Sequence, residues 1–203
     1  MKQVFIVGIR GNMANRYKAI LRFLDIGFIG VDVNESISED LIKSSDGILI
    51  ATPTETHLDL ICKLKDYQKP ILCEKPLARS VKEIEKLKGM LSGINLQMVD
   101  QYRYMRGHSL ASGDSMTQYN YYNSGKDGLP WDCINIVGKA NGQISLRGDS
   151  PIWTCKINGE VLSIRDMDFA YCSMIKDWTK SPKSNFHYAL SAHEAVEKYI
   201  CKS

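Results

Sequence analysis

The first half of the chain alternates short apolar runs with helical segments, and this alternation constrains the fold more than any other feature. Val4 to Val7 form a continuous run of β-branched and aromatic residues, typical of a strand buried on both faces of a parallel sheet. A helical pattern follows to Leu24, and parallel strands need such crossovers. The further runs are Phe28–Val31, Asp46–Ala51, Pro70–Cys73 and Leu96–Val99. The sequence therefore predicts an α/β fold with a doubly wound parallel sheet.

The loop after the first strand has the residue types that bind phosphate groups. Gly8 can supply a tight turn, and Gly11 lets backbone amides approach a pyrophosphate at the start of the next helix. Ala14 is small enough for that helix to pack closely on the strand. One more residue separates Gly8 from Gly11 than in the usual dinucleotide motif. The strand, loop and helix together still predict a dinucleotide site.

An acidic residue, Asp32, ends the second strand. It lies at about the ~20-residue distance at which a carboxylate accepts hydrogen bonds from an adenosine ribose. A carboxylate there repels a 2′-phosphate, so the position favours NAD over NADP. Arg10 in the glycine loop can partly offset that repulsion, which leaves NADP possible. The alternative is that Asp32 only caps a turn.

A lysine between an acid and a proline, Glu74-Lys75-Pro76, follows the fourth apolar run. Open α/β sheets bind their ligands at the carboxyl ends of the strands, and Pro76 stops the strand from continuing. Lys75 is therefore a candidate catalytic residue. The alternative is a solvated turn, because this tripeptide is common on protein surfaces.

The order and spacing of these motifs, together with the segment Ala51–His57, resemble the glucose-fructose oxidoreductase / inositol dehydrogenase family. The resemblance implies a Rossmann-type domain, a cis peptide bond before Pro76, and packing of Thr52 to Thr54 on the cofactor. It places His57 at a helix start near the cofactor, with a turn histidine of no chemical role as the alternative. The cofactor-binding residues so expected are Gly8, Arg10, Gly11, Asn12, Met13, Asp32, Thr52, Pro53, Thr54, His57, Glu74, Lys75 and Pro76.

The resemblance also divides the chain into a dinucleotide-binding domain over residues 1–104 and a small α+β domain over residues 105–203, whose last helix packs back between the domains. Gln101 and Arg103 follow the last strand of the first domain and are candidates for substrate contact. The alternative for both is a plain interdomain loop.

The second half is predicted to hold a small antiparallel sheet that is shorter than in the family. Its strands are expected at Thr117–Tyr122, Gly142–Arg147, Ile152–Ile157 and Glu160–Ile164.

The segment 125–138 resembles the family's glycine-led helix, which carries an aspartate and a histidine toward the nicotinamide. Asp132 matches the aspartate, and Leu129 and Ile136 stand where a histidine is expected. Trp131 is expected to form an apolar wall and Asn135 to supply a hydrogen bond.

Composition excludes several other classes of function. The 203 residues carry a net charge of +3 without long charged runs, so neither nucleic acid nor a membrane surface is expected as a partner. The six cysteines form no Cys-x-x-Cys pair, which argues against a zinc site and a redox dithiol. No metal site is predicted. Reduced thiols, the absence of a signal peptide and the absence of a membrane-spanning run predict a cytoplasmic protein.

The resemblance implies an NAD(P)-dependent oxidoreductase that acts on the hydroxyl or ketone of a sugar, nucleotide sugar or cyclic polyol. Lys75 would move the proton of the reacting oxygen, and Asp132 would orient the same hydroxyl. The family's habit of assembly implies a homodimer or tetramer. The alternatives are a dinucleotide-binding regulatory protein without turnover, and a reductase of another small molecule such as a linear tetrapyrrole or an imine.

Overall fold

The structure is a computed structural model of the chain. It describes residues 1–90, 93–104, 116–121, 134–138, 143–147, 154–157, 160–162, 164–187, 189–190 and 193–194. The chain divides into two compact units: the first is Met1–Val99 with Ile175–Leu190, and the second is Asp100–Met174 with Ser191–Ser203. The domain boundary predicted at residue 104 stays a prediction.

The first unit contains a five-stranded parallel sheet. Its strands are β1 (Gln3–Val7), β2 (Gly27–Val31), β3 (Gly47–Ile50), β4 (Ile71–Cys73) and β5 (Leu96–Met98). The strand order is β2-β1-β3-β4-β5, and all neighbours run parallel. The chain winds outward from β1 in one direction and then from β3 in the other. The predicted doubly wound α/β fold is confirmed, and a crevice is expected where the order reverses, between the ends of β1 and β3.

The helices between the strands of this sheet are α1 (Asn12–Phe23), α2 (Glu39–Lys43), α3 (His57–Leu64) and α4 (Val81–Met90). A further helix, α5 (Ile164–Lys180), follows later in the chain. Single 3₁₀ turns occupy Thr54–Thr56, Lys65–Tyr67 and Gln101–Tyr104. Within the described ranges, no helix has the length and apolar character needed to cross a membrane.

The core of the first unit follows from the apolar runs. Successive residues of β1, from Val4 to Val7, are all buried, as expected for a strand covered on both faces. Phe5 and Val7 join one apolar cluster with Ile61 of α3 and Ile84 of α4. The strand ends are thereby held rigidly, and the loops that follow them are positioned by the sheet.

The segment after α5 closes the free side of β5. The backbone N–H of Met98 donates to Asn185 Oδ1 at 2.7 Å, and Asn185 Nδ2 donates to the Met98 carbonyl at 2.8 Å. Ser184 Oγ donates to the Leu96 carbonyl at 2.8 Å. Asn185 therefore satisfies both backbone groups of an edge-strand residue, as a neighbouring strand would.

The second unit contains a five-stranded antiparallel sheet in the order β10-β9-β8-β7-β6. The strands are β6 (Met116–Tyr121), β7 (Ile134–Gly138), β8 (Gln143–Arg147), β9 (Thr154–Ile157) and β10 (Glu160–Leu162). The predicted antiparallel sheet is present, with one strand more than the sequence indicated.

The additional strand, β7, lies where a helix was expected. Asn135 pairs with Asn120 of β6 and Ser145 of β8, so the helical interpretation of residues 134–138 is wrong. Ile134, Ile136 and Val137 are β-branched and favour extended backbone, and such a short run does not distinguish strand from helix by periodicity. Residues 125–133 lie outside the described part of the chain.

Candidate active site at the carboxyl edge of the parallel sheet

The glycine loop crosses from the end of β1 toward the end of β3. Gly8 has a φ of 85°, and an added Cβ would lie 2.7 Å from the Ala51 carbonyl oxygen. Its N–H donates to the Val31 carbonyl at 2.9 Å, and the Gly11 N–H donates to the Gly8 carbonyl at 3.0 Å. The predicted tight turn at Gly8 is thus formed, and only glycine fits it without strain.

Helix α1 starts directly after this loop with Gly11 as its N-cap. Gly11 has no side chain with which to cap the helix, and the first turn of α1 carries no acidic residue. Asn12 is exposed, Met13 is half-buried, and Ala14 is fully buried against the sheet as predicted. The first backbone amides of an uncapped helix carry partial positive charge and accept an anion such as pyrophosphate.

A charged cluster surrounds Asp32 at the end of β2. Asp32 Oδ1 accepts a hydrogen bond from the Val33 N–H at 2.9 Å, and Oδ2 lies 3.9 Å from Arg10 Nη1. Glu35 accepts the Asp32 N–H at 2.8 Å through Oε2, and its Oε1 pairs with Arg10 Nη2. These contacts, the Asp32 amide first and then the Arg10 guanidinium, lower the pKa of Glu35. The sequence interpretation included Asp32 and Arg10 but missed Glu35.

A cavity of about 290 Å³ opens beside this cluster. Asp32, Glu35, Leu60 and Lys63 are among the residues that line it. It therefore combines an apolar wall with charged groups at the end of β2, where a dinucleotide places its adenosine half.

The loop after β3 is built around hydroxyl groups. Thr52 Oγ1 and Thr56 Oγ1 share a hydrogen bond of 2.6 Å, and Thr56 Oγ1 donates to the Pro53 carbonyl at 2.7 Å. Thr52 is buried, Thr54 is half-buried and Pro53 is exposed. Of the expected cofactor contacts on this loop, Pro53 thus offers the most open surface.

His57, the first residue of α3, joins the loops that follow β3 and β4. Its side chain is only 1% exposed, with Nε2 2.9 Å from the Thr52 carbonyl and Nδ1 2.9 Å from the Pro76 carbonyl. Burial lowers the pKa of His57, while hydrogen bonding to the two carbonyls opposes that shift. A neutral ring donates to only one of the two carbonyls. The His57 side chain therefore links the loop after β3 to the loop after β4.

Glu74, Lys75 and Pro76 follow β4, and the Lys75–Pro76 peptide bond is cis, as the family resemblance implied. The buried Glu74 carboxylate accepts the hydroxyl of Tyr17 at Oε1 and the backbone N–H of Lys75 at Oε2, the latter at 3.0 Å. Lys75 is half-buried. Glu74 thus connects α1 to the backbone of the candidate catalytic lysine.

The candidate substrate residues belong to the second unit. Gln101 is 1% exposed, and its Oε1 has no hydrogen-bond partner among the described residues. Arg103 lies in the 3₁₀ turn Gln101–Tyr104, and Asn135 lies on β7. Trp131 and Asp132 fall outside the described residues. Their proposed contacts remain predictions.

Residues 3–98 match the family model described as "Oxidoreductase family, NAD-binding Rossmann fold". The match covers 96 of the 203 residues, and over them the chain is similar to the NAD-binding domain of this oxidoreductase family. The predicted resemblance and the Rossmann-type cofactor domain are therefore confirmed, and NAD is the cofactor named for that family.

Part of the chain is similar to a curated dehydrogenase. Glucose-6-phosphate 3-dehydrogenase of Bacillus subtilis is 26% identical over 123 residues, which cover 52% of this chain. The chain thus spans about a third (35%) of the length of that curated relative.

Two solved structures illustrate the fold that this chain shares with them. A myo-inositol dehydrogenase from Corynebacterium glutamicum is 12% identical, with 99% of this chain and 96% of that chain covered and a TM-score of 0.68. The WlbA (WbpB) dehydrogenase from Thermus thermophilus, solved with NAD and UDP-GlcNAcA, is 13% identical, with 100% and 95% covered and a TM-score of 0.64.

Proposed function

We propose that this chain is an NAD(P)-dependent oxidoreductase that transfers a hydride between nicotinamide and a hydroxyl-bearing or keto carbon of a sugar, nucleotide sugar or cyclic polyol. One observation carries the proposal. The start of α1, the Asp32 cavity and Lys75 all follow strands of one parallel sheet, on the edge where open parallel sheets bind their ligands, and the matching family model is one of NAD-binding domains.

The residues at this edge fit a dinucleotide. The close approach of Gly8 to the Ala51 carbonyl leaves no room for a side chain, so backbone amides line the loop. The amides at the start of α1 would hold the pyrophosphate, and the Asp32 carboxylate would accept hydrogen bonds from the adenosine ribose. Thr52, Pro53 and Thr54 would pack on the nicotinamide half.

Lys75 is the residue proposed to handle the proton. The bound nicotinamide supplies hydride chemistry at carbon. When an alcohol is oxidised, the carbon loses a hydride and the hydroxyl loses a proton, which the Lys75 amine accepts; reduction reverses both transfers. The bond from the Lys75 N–H to Glu74 fixes the backbone from which this side chain extends. Gln101, Arg103, Trp131, Asp132 and Asn135 are proposed to orient the substrate.

The proposed substrate class is supported by the proteins that the chain resembles. They comprise a glucose-6-phosphate 3-dehydrogenase, a myo-inositol dehydrogenase and a dehydrogenase solved with UDP-GlcNAcA. The compounds named for these three proteins each have several hydroxyl groups on a ring. The half-buried Lys75 suits such a substrate, because its side-chain nitrogen can form a hydrogen bond with a ring hydroxyl.

The test has a binding stage and a turnover stage. In the first stage the protein is titrated with NADH and with NADPH, and binding is followed by nicotinamide fluorescence. In the second stage the protein is assayed with NAD against sugars, sugar phosphates, nucleotide sugars and inositols. Lys75→Ala should retain NADH binding within about threefold and lose at least roughly a hundredfold in turnover, the usual scale of acid–base catalysis. Lys82→Ala, which removes an exposed lysine of α4, is the control and should leave both unchanged.

Each result has one meaning. Absence of binding by either dinucleotide would overturn the proposed function. Binding without turnover across the panel would instead favour a dinucleotide-binding regulatory protein. Turnover that survives Lys75→Ala would remove this lysine from the mechanism.

A further inference from the structure

We propose that Glu35 is a specificity-determining residue, which selects NAD over NADP by holding the Arg10 guanidinium away from the ribose 2′ position. The inference rests on the proposed function, because it concerns the adenosine end of the same site. It assigns to Glu35 a role different from that proposed for Asp32, which is to accept hydrogen bonds from the ribose itself.

The contacts of Glu35 support this role. One carboxylate oxygen is fixed by the Asp32 N–H at 2.8 Å, and the other pairs with Arg10 Nη2. Arg10 Nη1 is 3.9 Å from Asp32 Oδ2, a longer and weaker contact. The backbone of Asp32, which directly follows β2, thus fixes the Glu35 carboxylate. Glu35 in turn binds Arg10, the cationic residue of the glycine loop.

The charges around the cavity give the arrangement its consequence. Asp32 and Glu35 contribute two negative charges to the lining of the cavity, Lys63 contributes a positive one, and Arg10 adds a second positive charge through its pair with Glu35. A 2′-phosphate adds roughly two negative charges, which need an arginine free to form paired hydrogen bonds. With Glu35 in place, that arginine is already engaged. Without the Glu35 charge, the Arg10 guanidinium is released from this pair and can form hydrogen bonds with a phosphate.

Glu35→Gln isolates this effect from a structural one. Its amide oxygen can still accept the Asp32 N–H, so the turn is retained, while its NH₂ group no longer attracts Arg10. The experiment measures Kd for NADH and NADPH by nicotinamide fluorescence. We expect Glu35→Gln to shift the ratio of the two constants toward NADPH by roughly fivefold, the size of one exposed charge interaction at 4 Å. Arg10→Ala added to Glu35→Gln should return the ratio toward the wild-type value.

The matched control is Glu39→Gln. Glu39 is also an exposed glutamate in an ion pair, with Lys43 at 2.8 Å, and it is on α2. This control should leave the ratio unchanged, and thermal melting should show all variants folded.

The outcomes separate the inference from the proposed function. Wild-type protein that binds neither dinucleotide overturns both. Wild-type preference for NADPH, an unchanged ratio in Glu35→Gln, an equal loss of both cofactors, or a shift that survives Arg10→Ala overturns the role of Glu35 and leaves the oxidoreductase proposal standing.

Discussion

The hydroxyl of Tyr17 donates a hydrogen bond to the carboxylate of Glu74, although the two residues are 57 positions apart. Tyr17 lies on α1, directly after the glycine loop, and Glu74 directly precedes the candidate catalytic lysine. The contact therefore links the element proposed to bind pyrophosphate with the loop proposed to move a proton.

Tyr17→Phe should destabilise the protein by about 1–3 kcal/mol, because the buried Glu74 carboxylate loses a donor. The free energy of unfolding is measured by urea denaturation. Tyr67→Phe, at a half-buried tyrosine, is the control and should change it by less than about 0.5 kcal/mol. Equal effects of the two substitutions would show that the Tyr17 hydroxyl contributes nothing specific.

Gly8→Ala should be among the most damaging single substitutions. Its Cβ would lie 2.7 Å from a backbone oxygen at a φ of 85°, so the loop must move. We expect a loss of at least about 1–3 kcal/mol in unfolding free energy, with loss of NADH binding. Gly89→Ala, on α4 with no atom near the added Cβ, should instead stabilise by about 0.5–1 kcal/mol. A folded Gly8→Ala variant with wild-type NADH affinity would contradict the proposed loop function.

His57 predicts a pH dependence of stability. Burial lowers its pKa in the folded chain, whereas the unfolded chain keeps a value of about 6.5. As the pH falls below about 6.5, the unfolded chain binds a proton that the folded chain binds only at lower pH, so this contribution to stability decreases. Above that pH it is constant.

The measurement is a series of urea midpoints between pH 8 and pH 5, which are expected to fall below about pH 6.5. His57→Gln should flatten the decrease, while His187→Gln, at an exposed histidine, should preserve it. Identical pH profiles for wild type and His57→Gln would remove His57 as the cause. Wild-type stability that rises as the pH falls would mean that the two carbonyls outweigh burial.

Asn185→Ala should lower the free energy of unfolding by about 1–3 kcal/mol, because both backbone groups of Met98 lose their side-chain partner. Asn185→Asp keeps an acceptor for the N–H but faces a carboxylate oxygen toward the Met98 carbonyl, and it should also destabilise. Exposed Asn15 on α1 supplies the control, since Asn15→Ala removes no such pair and improves helix propensity. Thermal melting and urea denaturation should show that both Asn185 variants are less stable than the wild type and that Asn15→Ala is at least as stable as the wild type.

Local patterns in the sequence were sufficient for the parallel sheet. Strands buried on both faces are continuous apolar runs, and Gly8 follows the first one because the backbone there must turn with positive φ. Residues 134–138 were assigned wrongly because a short β-branched run has no period long enough to separate strand from helix.

The contacts within the candidate site could not be predicted in the same way. His57 meets Pro76 and Tyr17 meets Glu74 only after separate strands have paired, so no local spacing indicates these contacts. Glu35 is three residues beyond Asp32, and its role depends on a side chain that reaches back to the Asp32 amide and on to Arg10. An acidic residue three positions after the proposed ribose-binding residue Asp32 is the signal that would have identified it.

The pairing of Asn185 with Met98 also bears on self-association. An exposed edge strand can pair with a strand from a second molecule, which leads to aggregation. Here the Met98 N–H and carbonyl, and the Leu96 carbonyl, are already engaged by side chains. A second chain could pair with β5 only after displacing residues 182–185. Residues 182–185 therefore cover this edge of the parallel sheet and prevent a further strand from pairing with β5.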